Sequence, residues 1–104
     1  MNYCLVLSTC ETREEARQIA SKLLEANLAA CVQIDQVESL YRWQCNVESA
    51  PEWRLMIKTR EGCYGKLEKL LSETHSYEVP QIVKLPIETG LQGYLDWIDD
   101  STPN

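Results

Sequence analysis

Tyr3 to Cys10, YCLVLSTC, is an unbroken apolar run of β-compatible residues, the pattern of a strand buried on both faces. The period then changes. In TREEARQIASKLLEAN, residues Ala16, Ile19, Ala20, Leu23 and Leu24 recur at helical spacing and form one apolar stripe. Thr12 and Glu15 have the separation of a capping box, in which hydroxyl and carboxylate each serve the other's free backbone N–H. Asn27 suits the end of that helix.

From Leu28 to Trp43 the pattern reads as one long strand with an irregularity. Val32 and Ile34 set one alternating phase, while Val37, Tyr41 and Trp43 set the other. Such a change of phase predicts a bulge or bend near Asp35–Gln36. The polar stretch QCNVESAP, closed by Pro51, holds the chain reversal, and EWRLMIKT is the return strand with Trp53, Leu55 and Ile57 on one face. A two-stranded arm of that length is not stable alone in water and needs a further surface to pack on.

A second helical pattern spans 61–74, with Cys63, Leu67, Leu70, Leu71 and Thr74 on one side. After ETHSYEVPQ comes the strand QIVKLPIE, with Val83, Leu85 and Ile87 in phase. Pro86 cannot donate to a ladder, which places this strand at a sheet edge. LQGYLDWIDD closes the pattern with a short amphipathic helix, and STPN reads as a frayed tail. The whole chain, 1–104, reads as one α+β domain in the order β-α-β-β-α-β plus a C-terminal helix. That is the ferredoxin-like split βαβ arrangement, with strand order 4-1-3-2 and a long hairpin between the second and third strands. Both main helices cover one face, and the other face is expected to meet solvent or a partner.

Composition narrows the uses of such a fold. The formal charge of −6 opposes any broad nucleic-acid or anionic-membrane footprint. No apolar run approaches the roughly 20 residues that span a bilayer, and the N-terminus lacks the basic and apolar segments of a secretory signal. Cys4, Cys10, Cys31, Cys45 and Cys63 are odd in number and widely spaced, as free thiols in a reducing compartment would be, so a cytoplasmic location is expected.

Motifs for common chemistries are missing. There is no Phe on the central strands to stack RNA bases. Cysteines are never close enough for a Cys-x-x-Cys metal loop or a structural zinc site. Gly-x-Ser-x-Gly, a phosphate loop and His-Glu-x-x-His are all absent from the sequence. A thiol nucleophile paired with the sole histidine, His75, lacks any local activating signature, so no enzymatic activity is expected.

The runs EANLAACVQI, SLYRW, RLMIKTR, HSYEVPQIVKLPI and YLDWI, in this order and spacing, resemble the CutA family of divalent-cation tolerance proteins over nearly the whole chain. The resemblance implies a compact homotrimer whose long hairpins embrace neighbouring subunits, similar in architecture to PII-type signalling trimers. It implies a role in tolerance of divalent metals, chiefly copper, with copper or another divalent cation as the metal bound and no cofactor required. The alternative it raises is a PII-like signalling or scaffold trimer holding a small metabolite at subunit clefts. Cys31, in LAACV, and His75, in the family's H-P-Y-E-x-P motif, are the metal-ligand positions the resemblance carries over. Ser76 departs from that motif's proline, Cys45 from the glycine usual after Y-x-W, and Pro51 from the acidic approach to the third strand.

The topology separates the two candidates. Cys31 opens the second strand, whereas His75 leaves the second helix at the opposite end of the sheet. A strand of five to six residues already spans roughly 17–20 Å, far beyond the ~2–2.3 Å at which an ion holds each donor. A shared ion requires either a neighbouring subunit or a different donor such as Cys10, which leaves the first strand at the same end as His75. Structural roles compete for both residues: a small buried thiol at the start of a strand for Cys31, and a helix C-terminal residue for His75. Tyr41, Trp43, Trp53 and Trp97 read as packing residues.

Overall fold

The computed structural model describes residues 2–103. Eight-residue β1 (Tyr3–Cys10) leads to α1 (Arg13–Glu25), β2 (Cys31–Trp43) and β3 (Asn46–Arg60). A single 3-10 turn, Glu61–Cys63, then precedes α2 (Tyr64–Thr74), β4 (Val83–Ile87) and α3 (Gln92–Ser101). The four strands form one antiparallel sheet ordered β2-β3-β1-β4, the expected order read from its other edge. Pro86 lies on the edge strand β4, opposite Cys4, where a missing N–H leaves no ladder bond unmade on its outer side.

Helix α1 begins at Thr12, whose Oγ1 accepts from the Glu15 amide at 3.1 Å. The reciprocal half of the capping box does not form. The Glu15 carboxylate turns instead to Ser76, accepting from its amide at 2.7 Å and its hydroxyl at 3.0 Å. At the other end Asn27 adopts φ 58°. The Leu28 amide reaches back to the Leu23 carbonyl and the Asn27 amide to Leu24, a Schellman closure that satisfies two orphan carbonyls.

Alternation along β1 sorts the core. Cys4, Val6 and Cys10 face α1 and α2 and join Ile19, Leu23, Leu55, Ile57, Leu67 and Leu71 in the main core. Leu23, Leu55, Ile57, Leu67 and Leu71 are fully buried, and burial of each contributes on the order of 2 kcal/mol. On the opposite face α3 lies against Tyr3 and Ala30 through Ile98, and the Tyr3 hydroxyl donates to Asp99. That face is only partly covered, since Val83 and Leu85 stay exposed beside the half-buried Leu5 and Leu7.

Three expectations change. The β2–β3 register runs unbroken from Cys31↔Lys58 to Trp43↔Asn46, so no bulge interrupts it near Asp35. The phase change has another cause: Val32 and Ile34 pack against the helix-covered core, whereas beyond them neither face of the arm is roofed and burial no longer dictates phase. Second, β3 begins at Asn46 rather than Glu52 and runs through Pro51. Strand β1 pairs with β3 only from Trp53 onward, so one side of position 51 is free to present the proline nitrogen. Third, the tail is held rather than frayed. Thr102 is fully buried, and the Arg60 guanidinium donates to its hydroxyl at 2.8 Å and to its carbonyl; the last residue of STPN lies outside the described residues.

The chain reverses through Gln44 and Cys45, at φ 49° and 68°, the two positive φ values of a type I′ hairpin turn. A side chain in that region costs about 1–2 kcal/mol that glycine avoids, part of which glycine returns as unfolded-chain entropy. Cys45→Gly is expected to stabilise the tip by about 0.5–1 kcal/mol. Slower amide hydrogen exchange around Trp43 and Asn46 would register it, and unchanged or faster exchange would contradict it.

Candidate functional site

Strand β1 ends at Cys10 beneath the C-terminus of α2, and the two ends enclose His75. The His75 amide caps α2 through the Leu71 carbonyl at 3.0 Å, and its backbone then turns extended, at φ −74° and ψ 141°. This turns the ring inward. Its side chain is fully shielded from solvent, with Nε2 2.8 Å from the Thr9 carbonyl and 3.8 Å from Cys10 Sγ. Nδ1 accepts from the Tyr77 amide at 3.0 Å and stands 3.7 Å from a Glu15 carboxylate oxygen. The Tyr77 ring tilts over the imidazole at 4.8 Å, and its hydroxyl donates to Glu52 at 2.8 Å.

Burial governs the electrostatics. It pushes the Cys10 thiol up from an ordinary 9.0 to about 12, with the Glu15 and Glu52 carboxylates adding to the effect. Burial likewise raises Cys4 to about 11. Tyr77 is raised as well, first by burial and then by its hydrogen bond to Glu52. Cys10 is therefore a protonated thiol at neutral pH and an inert nucleophile, and it could become a ligand only by releasing its proton to solvent as an ion takes the proton's place.

Cys10, Glu15 and His75 each offer one donor atom within 4.8 Å of the others, the single such group among the described residues. Thiolate, imidazole and carboxylate together suit a borderline ion such as zinc or copper rather than calcium or magnesium. Cys31 is elsewhere. It pairs with Lys58 and Cys10 with Trp53, five residues apart along β3, which is roughly 17 Å of strand. An odd separation also places the two on opposite faces, so one protomer brings His75 to Cys10 and keeps it from Cys31. The role of Glu15 was hidden in the sequence by its capping-box position. That of Tyr77 acts through a backbone amide, which no residue type announces.

Beside this cluster the arm and the 77–81 segment bound a groove of about 1100 Å³, lined by Tyr41, Trp43, Glu48, Glu52, Tyr77 and Pro80 among others. The molecule so defined is a small α+β protein: helices on a four-stranded antiparallel sheet, a two-stranded arm, and a buried thiol–imidazole–carboxylate cluster where strand and helix end. Residues 4–101 match the model of the family described as CutA1 divalent ion tolerance protein. The chain is 43% identical over 99 residues to the divalent-cation tolerance protein CutA of Thermus thermophilus, covering 94% of this chain and 96% of that one. It is 41% identical over 93 residues to its namesake from Archaeoglobus fulgidus, covering 89% and 91%. In structure it is similar to CutA1 of Oryza sativa, with TM-score 0.96, 34% identity and coverage of 100% and 96%. It is also similar to a protein of Archaeoglobus fulgidus described as the periplasmic divalent cation tolerance protein CutA, with TM-score 0.94, 38% identity and coverage of 96% and 98%. The chain belongs to the CutA family of divalent-cation tolerance proteins.

Two consequences can be measured. His75→Ala strands the Thr9 carbonyl and the Tyr77 amide in a buried site, and a loss of about 2–4 kcal/mol in urea unfolding is expected; a loss below about 1 kcal/mol would mean that water replaces the ring. The raised Cys4 and Cys10 thiols hold protons in the fold that the unfolded chain has already released. Their contribution is full below the ordinary value of 9.0 and is lost as pH rises from there toward about 12. The urea midpoint should fall across that window, and Cys10→Ser should flatten the fall.

Proposed function

We propose that this protein acts in tolerance of divalent metal as a homotrimer that binds copper or another thiophilic divalent ion, with His75 and Cys10 as its donors in each protomer. The observation that carries this reading is the convergence of Cys10, Glu15 and His75 in a chain of a divalent-cation tolerance family. The donor set fits such an ion, and the thiol proton is the group that binding must displace. Cys31, on the face shared with α3, contributes to the metal site only across subunits or not at all. The protein needs no cofactor and performs no catalysis.

The assembly is supported by what one protomer leaves bare. Leu40 (67% exposed), Trp43 (61%) and Val79 (87%) flank the groove under the arm, and Val83 and Leu85 lie on the open sheet face. A two-stranded arm with such residues is stabilised when another copy covers it. A ferredoxin-like topology belongs to the same reading, and the strand order β2-β3-β1-β4, with helices α1 and α2 on one face, supports it. A cytoplasmic location belongs to this reading, in keeping with the unpaired Cys4, Cys10, Cys31, Cys45 and Cys63. The size of the groove favours a second reading, in which a small metabolite occupies it between subunits as in PII-type trimers.

Light scattering should give about three times the 12.0 kDa chain mass; a monomer at micromolar concentration would overturn the assembly. Calorimetric titration with zinc or copper under anaerobic, reducing conditions should show binding that Cys10→Ser and His75→Ala each weaken at least about tenfold. Cys31→Ser should bind like the parent chain, and an equal loss in that variant would move the site. Thermal stabilisation by one metabolite and by no metal would establish the second reading instead.

A further inference from the structure

The two nitrogens of His75 face partners with fixed roles. The Thr9 carbonyl, 2.8 Å from Nε2, can only accept, and the Tyr77 amide, 3.0 Å from Nδ1, can only donate. The ring is therefore the neutral tautomer with its hydrogen on Nε2. Cys10 and Glu15 approach opposite sides of it: Sγ lies 3.8 Å from Nε2, whereas the carboxylate lies 3.7 Å from Nδ1. A tetrahedral zinc ion holds sulfur at about 2.3 Å and nitrogen at about 2.0 Å, which sets those two donors roughly 3.5 Å apart. The spacing of Sγ and Nε2 is close to that value. Nε2, the nitrogen placed for chelation with Cys10, is thus the one that carries the hydrogen.

We propose that loading a thiophilic divalent ion on Cys10 and His75 exchanges the His75 tautomer from Nε2–H to Nδ1–H, with Glu15 accepting the new N–H and the Tyr77 amide released. This rests on the metal-binding reading above and adds the regulation of its site. The proton balance is simple. One proton leaves Nε2 for water and one arrives from water at Nδ1, so the ring stays neutral, while the Cys10 thiol gives its proton to solvent as Sγ becomes a donor.

Once Nδ1 bears hydrogen it cannot accept from the Tyr77 amide, so that bond breaks. The nearest acceptor is Glu15, which the Ser76 amide and hydroxyl already hold in place at 2.7 and 3.0 Å. Glu15 is then a positioning residue rather than a ligand, the carboxylate of a carboxylate–histidine–metal arrangement. The consequence travels further. Tyr77 stacks on the ring and donates its hydroxyl to Glu52, and both residues line the groove beneath the arm. Freeing the Tyr77 amide loosens that wall, so metal loading is communicated to the groove.

The chain's only histidine makes the test direct, because a long-range ¹H–¹⁵N correlation spectrum of the tag-free protein contains one imidazole. Without added metal it should show Nε2–H; with one equivalent of Zn²⁺ per chain it should show Nδ1–H and a metal-shifted Nε2. The Tyr77 amide should exchange about tenfold faster when zinc is added, the scale of one lost hydrogen bond. Glu15→Gln should lower zinc affinity by about 10–100-fold, and Cys10→Ser should abolish the spectral change. Zinc bound with Nε2–H retained would overturn the tautomer exchange and leave the metal reading standing. Parent-like zinc affinity in Glu15→Gln would overturn the role given to Glu15. No zinc bound by the parent protein would overturn both readings.

Discussion

Strand β1 has antiparallel neighbours on both edges, β3 and β4, so its backbone cannot slip by one residue without breaking two ladders and turning Cys4, Val6 and Cys10 out of the core. That constraint positions everything else. It sets which face α1 and α2 must cover, leaves the opposite face to α3, and brings the end of the strand under the end of α2. Thr9 and Cys10 are consecutive there. One offers His75 a carbonyl from the backbone and the other a thiol from the core face, at distances that follow from the pleat.

Much of this was legible because it rests on period and punctuation. Helical spacing from Ala16 to Leu23 and strand spacing in EWRLMIKT bury the faces they predict, although Leu24 at the end of the expected stripe stays exposed, and Pro86 marks the edge strand correctly. Thr12 and Asn27 cap α1 as their residue types require. Less legible was anything whose meaning depends on what covers it. The phase change at Val37 predicts a bulge only if one face is buried throughout, whereas the outer arm has no roof on either side. Thr102 looked like tail, and only the Arg60 guanidinium, far away in sequence, makes it part of the fold.

The site divides in the same way. Topology alone put Cys31 and His75 at different ends and brought Cys10 to the histidine. The sequence could not show that Glu15 would leave its capping partner, since a capping box and a bridge to residue 76 use the same carboxylate. The choice between them depends on Ser76. A serine supplies both an amide and a hydroxyl to Glu15, while a proline at that position would supply neither. The departure at Ser76 from the family motif is therefore a change in how firmly Glu15 is held beside the imidazole.

The cluster is also built on burial rather than on charge. A thiol raised to about 12 and an imidazole fully bonded within the protein are poor surface chelators, and they present little to ions passing in solvent. Cys45, exposed at the hairpin tip, has no such protection. An ion that reaches Cys10 must displace a proton and rearrange two hydrogen bonds, so affinity is lowered by the cost of undoing a finished turn. In the proposed reading that cost falls equally on every ion, so only one with strong bonds to sulfur and nitrogen would still bind tightly. The same proposal would couple occupancy to the turn at Tyr77, since the bonds that close the turn are the ones binding would have to open. A surface cluster of the same three residue types would bind more readily and would move nothing.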